Sequence, residues 1–228
     1  LTDINVLDNL TKVQKQIKEA ELRGGRPPGS VKLLPVTKTV PQQYITQVME
    51  AGIVDFGENR VQELVEKYRH FPKANWHMIG HLQTNKVKKL LGKTVLIHSL
   101  DRWSLAEKIN SLSLSNNIKT KVLVQVNVSG EKSKYGLNPL ELEDFIYHAI
   151  DLEGIEIQGL MTMAPFVDKP EEVRPVFREL ARWRDKLASR WPGIRILSMG
   201  MTNDFTVAIE EGADIVRVGS AIFRRQTL

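Results

Sequence analysis

Val31-Lys32-Leu33-Leu34-Pro35-Val36-Thr37-Lys38-Thr39-Val40-Pro41 sets the pattern for the chain. An apolar, β-rich run ends on a lysine, and Thr39-Val40-Pro41 then turns the backbone toward a helix. The same unit recurs: short apolar runs at 31–37, 53–57, 76–80, 95–99, 121–128, 155–161, 195–199 and 215–218 read as strands, each followed by an amphipathic stretch. A helix precedes the first unit, predicted over 5–22 from Val6, Leu10, Val13 and Ile17. Asp101 is expected to cap the helix that carries Leu105, Ile109 and Leu112. Asn138-Pro139 and Pro170 open two more, and a helix over 205–211 is expected to stop at Gly212. Eight βα units in 228 residues predict an α/β fold, a single (β/α)8 TIM barrel with an extra N-terminal helix, as one domain over 1–228. No G-x-G-x-x-G follows the first strand, which argues against an open dinucleotide-binding sheet.

Composition narrows the chemistry. The chain has no cysteine, so disulfides, thiolate nucleophiles and cysteine metal sites are excluded. That suits a cytoplasmic setting, and Leu1-Thr2-Asp3-Ile4-Asn5 shows no signal-peptide pattern. The start lacks Met, so an initiator or tag is read as missing. No apolar run reaches the length of a membrane span. The net charge of +5 is spread along the chain, with local excesses at Lys86, Lys88, Lys89 and Lys93 and at Arg224-Arg225. Neither forms the long basic stripe that nucleic acid requires, whereas a small anionic ligand fits the excess. Nothing in the pattern resembles a large interface patch, and a monomer is expected.

In a TIM barrel the chemistry gathers at the C-terminal strand ends. Those ends here are Lys38, Gly57-Glu58-Asn59-Arg60, Gly80-His81, His98-Ser99 with Asp101, Asn127 with Ser129, Met161-Thr162, Ser198-Met199-Gly200-Met201-Thr202 and Arg217-Val218-Gly219-Ser220. Lys38 reads in two ways on its own segment: a lysine snorkelling to the rim, or a desolvated amine able to form a Schiff base. The last two ends favour the second reading. Barrels often hold phosphate between the loops after strands seven and eight; Gly200 and Gly219 allow close approach, and Thr202 and Ser220 offer hydroxyls. The alternative, that Thr202 or Asp204 merely caps a helix, covers only part of the pattern. With Val216 and Val218 on one face of their strand, Arg217 shares the other with Gly219 and lies deeper in the same pocket. An amine, an anion cradle and a deep cation together describe a pyridoxal 5'-phosphate site.

The chain resembles the pyridoxal phosphate homeostasis (PLP-binding) protein family, similar to the N-terminal barrel domain of alanine racemase. The blocks that carry the resemblance are Pro35-Val36-Thr37-Lys38, Phe56-Gly57-Glu58-Asn59-Arg60-Val61-Gln62-Glu63, Trp76-His77-Met78-Ile79-Gly80-His81-Leu82-Gln83, Gly159-Leu160-Met161-Thr162-Met163-Ala164, Leu197-Ser198-Met199-Gly200-Met201 and Val216-Arg217-Val218-Gly219-Ser220-Ala221-Ile222-Phe223. The resemblance implies a fold-type III barrel with the cofactor as an internal aldimine on Lys38. It implies that Met201, Thr202, Gly219 and Ser220 hold the phosphate, that Arg217 faces the pyridine nitrogen, and that Asn59 lines the ring, with His81 and Ser198 as neighbours. Two positions depart from the family pattern: Thr202 stands where serine is usual, and Arg224 where glycine commonly follows Ala-Ile-Phe.

The implied role is PLP (vitamin B6) and amino-acid homeostasis, with pyridoxal-dependent apo-enzymes as recipients and no robust turnover. An arginine against the ring nitrogen weakens the ring as an electron sink, and the chain reads as lacking the second, β-rich domain of racemases. Tyr135 is the other nominee for a proton-transfer group and reads as a loop residue. A PLP-dependent racemase and a Schiff-base aldolase are the alternatives.

Overall fold

Eight parallel strands alternate with helices in the computed structural model, which describes residues 4–131 and 134–224. The strands are β1 (Lys32–Pro35), β2 (Asp55–Glu58), β3 (Asn75–Met78), β4 (Leu96–Leu100), β5 (Thr120–Gln125), β6 (Ile155–Met161), β7 (Ile196–Ser198) and β8 (Ile215–Val218). Around them lie α1 (Val6–Arg23), α2 (Gln42–Glu50), α3 (Val61–His70), α4 (Val87–Leu90), α5 (Trp103–Ser115), α6 (Leu142–Ala149), α7 (Arg174–Arg190), α8 (Phe205–Glu210) and α9 (Ser220–Phe223). The sheet order β1-β8-β7-β6-β5-β4-β3-β2 places β1 and β2 at its two ends. There the ring closes through a bridge between Val36 and Gly57, with the Thr37 N–H donating to the Gly57 carbonyl at 3.0 Å. The expected TIM barrel is present, and each predicted run overlaps one strand, mostly shorter than expected, with β2, β3, β4 and β5 each reaching one residue outside its run. Leu1, Thr2, Asp3 and Arg225, which belong to the N-terminal and basic-tail readings, lie outside the described residues.

The two-residue period of the strands sorts their side chains into two cores. Trp76 and Met78 of β3, Ile97 of β4, and Val216 and Val218 of β8 point outward into the layer packed against the helices. Leu34, Ile79, Leu96, Leu123, Met161 and Ile215 form a smaller apolar cluster inside the ring. α1 packs against α8 and α9, and its Asn9 amide donates to the Ile222 carbonyl at 3.1 Å. That helix is built as its sequence implies: the Asn5 side chain accepts from the Asp8 N–H, and Val6, Leu10, Val13 and Ile17 are buried. Asn138 likewise accepts from the Leu140 N–H, although a 3-10 turn over Pro139–Glu141 precedes α6.

One predicted cap is replaced. The N-cap position of α5 is Arg102, with no side-chain cap bond, and the Asp101 carboxylate turns instead to His81 and Arg102. The Arg102 guanidinium, a charged donor, outcompetes neutral backbone donors for it. Among the described residues, no helix is long and apolar enough to cross a membrane.

Candidate functional site

The strand order brings the ends of β1, β7 and β8 side by side, and the site begins at the corner where β1 ends. Thr37 is buried; its hydroxyl donates to the Glu58 carboxylate at 2.6 Å, and Lys67 of α3 bonds both that carboxylate and the Thr37 carbonyl. Thr39 adopts φ 58°, uncommon for a β-branched residue. Two bonds hold it there: its N–H donates to Glu63 at 3.2 Å, and its hydroxyl to the Lys38 carbonyl at 2.7 Å. Lys38, fixed between these anchors, is exposed and lines a cavity of about 1030 Å³. Its amine has no ion-pair partner among the described residues. The burial expected for Lys38 is therefore corrected: the side chain leaves one residue beyond buried Thr37 and lines the cavity.

Asn59, Met201, Thr202, Arg217, Gly219 and Ser220 line the same cavity. Asn59 is brought in by a close backbone passage: a Cβ on Gly80 would sit 2.2 Å from the Asn59 carbonyl oxygen. The Ser220 hydroxyl donates to that of Thr202 at 3.0 Å, joining the loops after β7 and β8. Gly200, at φ 91°, makes the turn between β7 and this loop, where a Cβ would meet Ala208 Cβ at 2.6 Å. The Met201 N–H is engaged by the Asp204 carboxylate at 2.6 Å, so Asp204 shapes the loop rather than capping α8. Burial raises the Asp204 carboxyl above its ordinary value, against the Met201 N–H and the Arg217 charge.

Arg217 forms the inner wall. It is 4% exposed, donating to Ser198 Oγ at 2.7 Å and to the Thr162 carbonyl at 2.8 Å. Burial brings its guanidinium down to about 10, partly opposed by the Asp204 charge, so it remains cationic at neutral pH. Ser198 is buried beneath it and in turn meets His98 Nδ1 at 2.9 Å. His98 Nε2 lies 3.0 Å from His77 Nδ1, and His77 Nε2 lies 3.0 Å from Asp55, which Lys32 also contacts at 3.0 Å. Burial lowers both histidines, so each is neutral. Burial alone would raise Asp55, but hydrogen bonds from His77 and Lys32 outweigh it and bring the carboxyl to about 2.

Of the nine residues singled out in the sequence, seven line the main cavity; Ser198 lies beneath Arg217. His81 lines a neighbouring cavity of about 510 Å³ that shares Asn59 with the first. Its Nδ1 meets Asp101 at 3.1 Å, and Tyr135 stacks on its ring at 3.9 Å between centroids. Tyr135 is thus a loop residue with a specific partner, while Lys132 and Ser133 beside it lie outside the described residues. The sequence reading gave no role to Asp55, His77 or Lys67, and it placed Glu58 and Thr162 at strand ends without seeing that they hold Lys67 and Arg217. The signal was present for the histidines: His77 alternates with Trp76 and Met78, and so had to point into the ring.

Residues 9–226 match the model of the alanine racemase N-terminal domain. A pyridoxal phosphate homeostasis protein of Aquifex aeolicus is 45% identical over 223 residues, covering 96% of this chain and 98% of that protein. This chain belongs to the pyridoxal phosphate homeostasis protein family. Solved structures place this family member's barrel among close relatives. A protein of unknown function from Bifidobacterium adolescentis superposes with a TM-score of 0.92 at 37% identity, covering 96% of this chain and 94% of that one. PipY of Synechococcus elongatus, solved with PLP bound, superposes with a TM-score of 0.80 at 33% identity, covering 91% of this chain and 99% of PipY.

Proposed function

We propose that this protein binds pyridoxal 5'-phosphate through a Schiff base on Lys38 and serves vitamin B6 and amino-acid homeostasis in the cytoplasm, without robust turnover. The observation that carries this reading is the meeting, in one cavity, of an unpaired lysine amine, a Thr202–Ser220 hydroxyl pair and a buried guanidinium. The PLP bound to PipY and the name of the Aquifex aeolicus relative support it.

The residues present fit the group. Thr202, Ser220, Gly219 and the Met201 loop receive the phosphate, Lys38 holds the aldehyde end, and Asn59 lies beside the ring. Arg217, a donor without acceptor capacity, faces the ring nitrogen, and Ser198 steadies Arg217 from below. Bound pyridoxal phosphate supplies an aldehyde for the amine and a ring that withdraws electrons. Because Arg217 only donates, it favours the unprotonated ring nitrogen, which is the weaker electron sink. Tyr135, the nominee for a second proton-transfer group, stacks on His81 and is not among the side chains lining the main cavity. Pyridoxal-dependent apo-enzymes are the recipients this reading calls for, with the carrier acting as a monomer.

The test is the absorbance spectrum of the purified protein before and after borohydride, with mapping of the reduced adduct. A visible band that borohydride removes, with label on Lys38, is expected; label on another lysine would overturn the site. Incubation with amino acids in deuterated water separates holding from turnover. The carrier reading expects no exchange of the α-proton, and exchange lost in Lys38→Ala would establish the racemase reading instead.

A further inference from the structure

The inside of the ring is filled in two ways. One part is the apolar cluster of Leu34, Ile79, Leu96, Leu123, Met161 and Ile215. Through the rest runs a file of polar groups, each within 3.0 Å of the next, from Asp55 at the first residue of β2 to Arg217 in the cavity wall. Packing does not call for such a file, since apolar side chains of similar volume fill a core at no loss of stability.

Its two ends determine its direction. Asp55 is an ionised carboxylate and can only accept, so His77 Nε2 carries the proton and donates to it. Neutral His77 then has a lone pair on Nδ1, and His98 Nε2–H must donate to that. Neutral His98 has its own lone pair on Nδ1, so the Ser198 hydroxyl donates there and accepts from Arg217. Any other tautomer sets two N–H groups or two lone pairs against each other in a buried contact, at a cost of about 1–3 kcal/mol. A second proton on His98 would set another cation beside Arg217, with Lys32 already facing Asp55 and Asp204 the nearest opposing charge on the Arg217 side. All donors therefore point away from the cavity.

We propose that Asp55, at the N-terminal end of the barrel, is a remote positioning residue for Arg217, acting through the one-way chain Arg217→Ser198→His98→His77→Asp55. The chain connects a buried cation that has no carboxylate in contact among the described residues to a carboxylate four hydrogen bonds away. It commits one guanidinium N–H to Ser198, the Thr162 carbonyl takes another, and the side chain so held lines the cavity. The direction of the chain stands on the protein alone. Its consequence for a bound ring, a fixed donor opposite the ring nitrogen, rests on the pyridoxal phosphate reading.

Nitrogen-15 NMR of the full chain without added cofactor tests it in two arms. Imidazole correlations should show both His77 and His98 neutral and protonated on Nε2 from pH 6 to 8; protonation on Nδ1 of either would overturn the chain. In the second arm, Asp55→Asn keeps an acceptor but removes the charge, and Ser198→Ala cuts the chain. Both should move the Arg217 guanidinium resonances, and the double variant should add nothing to Ser198→Ala. Arg217 resonances unmoved by Asp55→Asn, or additive shifts in the double variant, would overturn transmission. Should Asp55→Asn fail to fold, His77→Gln serves as the second cut, with the same two outcomes. Neither arm depends on cofactor binding, so failure of the pyridoxal phosphate reading would be seen separately, as a missing visible band on adding pyridoxal phosphate.

Discussion

Two lysines near the end of β1 are placed in opposite surroundings. Lys67 rises from α3, is 8% exposed, and is held by Glu58 and the Thr37 carbonyl. Lys38 follows Thr37 directly, opens into the large cavity and has no carboxylate partner among the described residues. Burial accompanies pairing in the first, and exposure accompanies freedom in the second. An unaccompanied buried ammonium is costly, so a buried lysine is satisfied by its surroundings and has nothing to offer a ligand. The amine left for chemistry is the one the fold leaves open, held in place through its neighbours Thr37 and Thr39.

The contrast can be broken most sharply at Lys38. Lys38→Ala should abolish the borohydride-trapped adduct while leaving the unfolding free energy of the cofactor-free protein within about 0.5 kcal/mol, the usual range for an open position. A large loss of stability in urea denaturation would show that Lys38 is structural after all. Lys67→Ala should do the reverse. It leaves Glu58 buried without its cation, a loss on the order of 3–5 kcal/mol by denaturant unfolding. A loss below about 1 kcal/mol would mean that water reaches Glu58 freely.

Asp55 extends the comparison to a carboxylate. Its folded pKa, about 2, lies below the unfolded value near 3.9, so its stabilisation is complete above the unfolded value and fades as pH falls through the folded one. The difference corresponds to at most about 2.6 kcal/mol, less what solvent screens at this half-buried group. Asp55→Asn should therefore cost stability at pH 7 and nearly nothing at pH 2; an equal loss at both would assign the effect to shape rather than charge. The smallest effect is expected at the cradle. Ser220→Ala should weaken pyridoxal phosphate binding about 10-fold, the order for one hydrogen bond to a charged group. Unchanged affinity by equilibrium dialysis would remove Ser220 from the anion site.

Much of this was legible in the sequence, and the lapses have physical causes. Strand ends announce themselves because an apolar run must stop where polar groups begin, which located Lys38, Thr202, Arg217 and Ser220. The exposure of Lys38 could not be read, since it depends on the residue standing two places past the closing bridge at Val36. Asp101 looked like a cap because it precedes a helix, but His81, brought close only by folding, and the adjacent Arg102 claim its carboxylate. The polar file through the barrel was least visible of all. His98 and Ser198 are 100 residues apart in the chain, and no local pattern couples them.

The join between β1 and β2 is where these threads meet. Backbone pairing there amounts to one bridge, while the opposite edge of β1 follows β8 over four residues. Side chains supply the stitching: Lys32 to Asp55 at one end, and Thr37 with Glu58 and Lys67 at the other. The barrel thus has a seam sewn by charge, with Lys38 just past its upper stitch. Amide exchange at Thr37 and Gly57 reports on that seam. Acid, which loosens carboxylate stitches and spares peptide ladders, would open the cylinder along this line first.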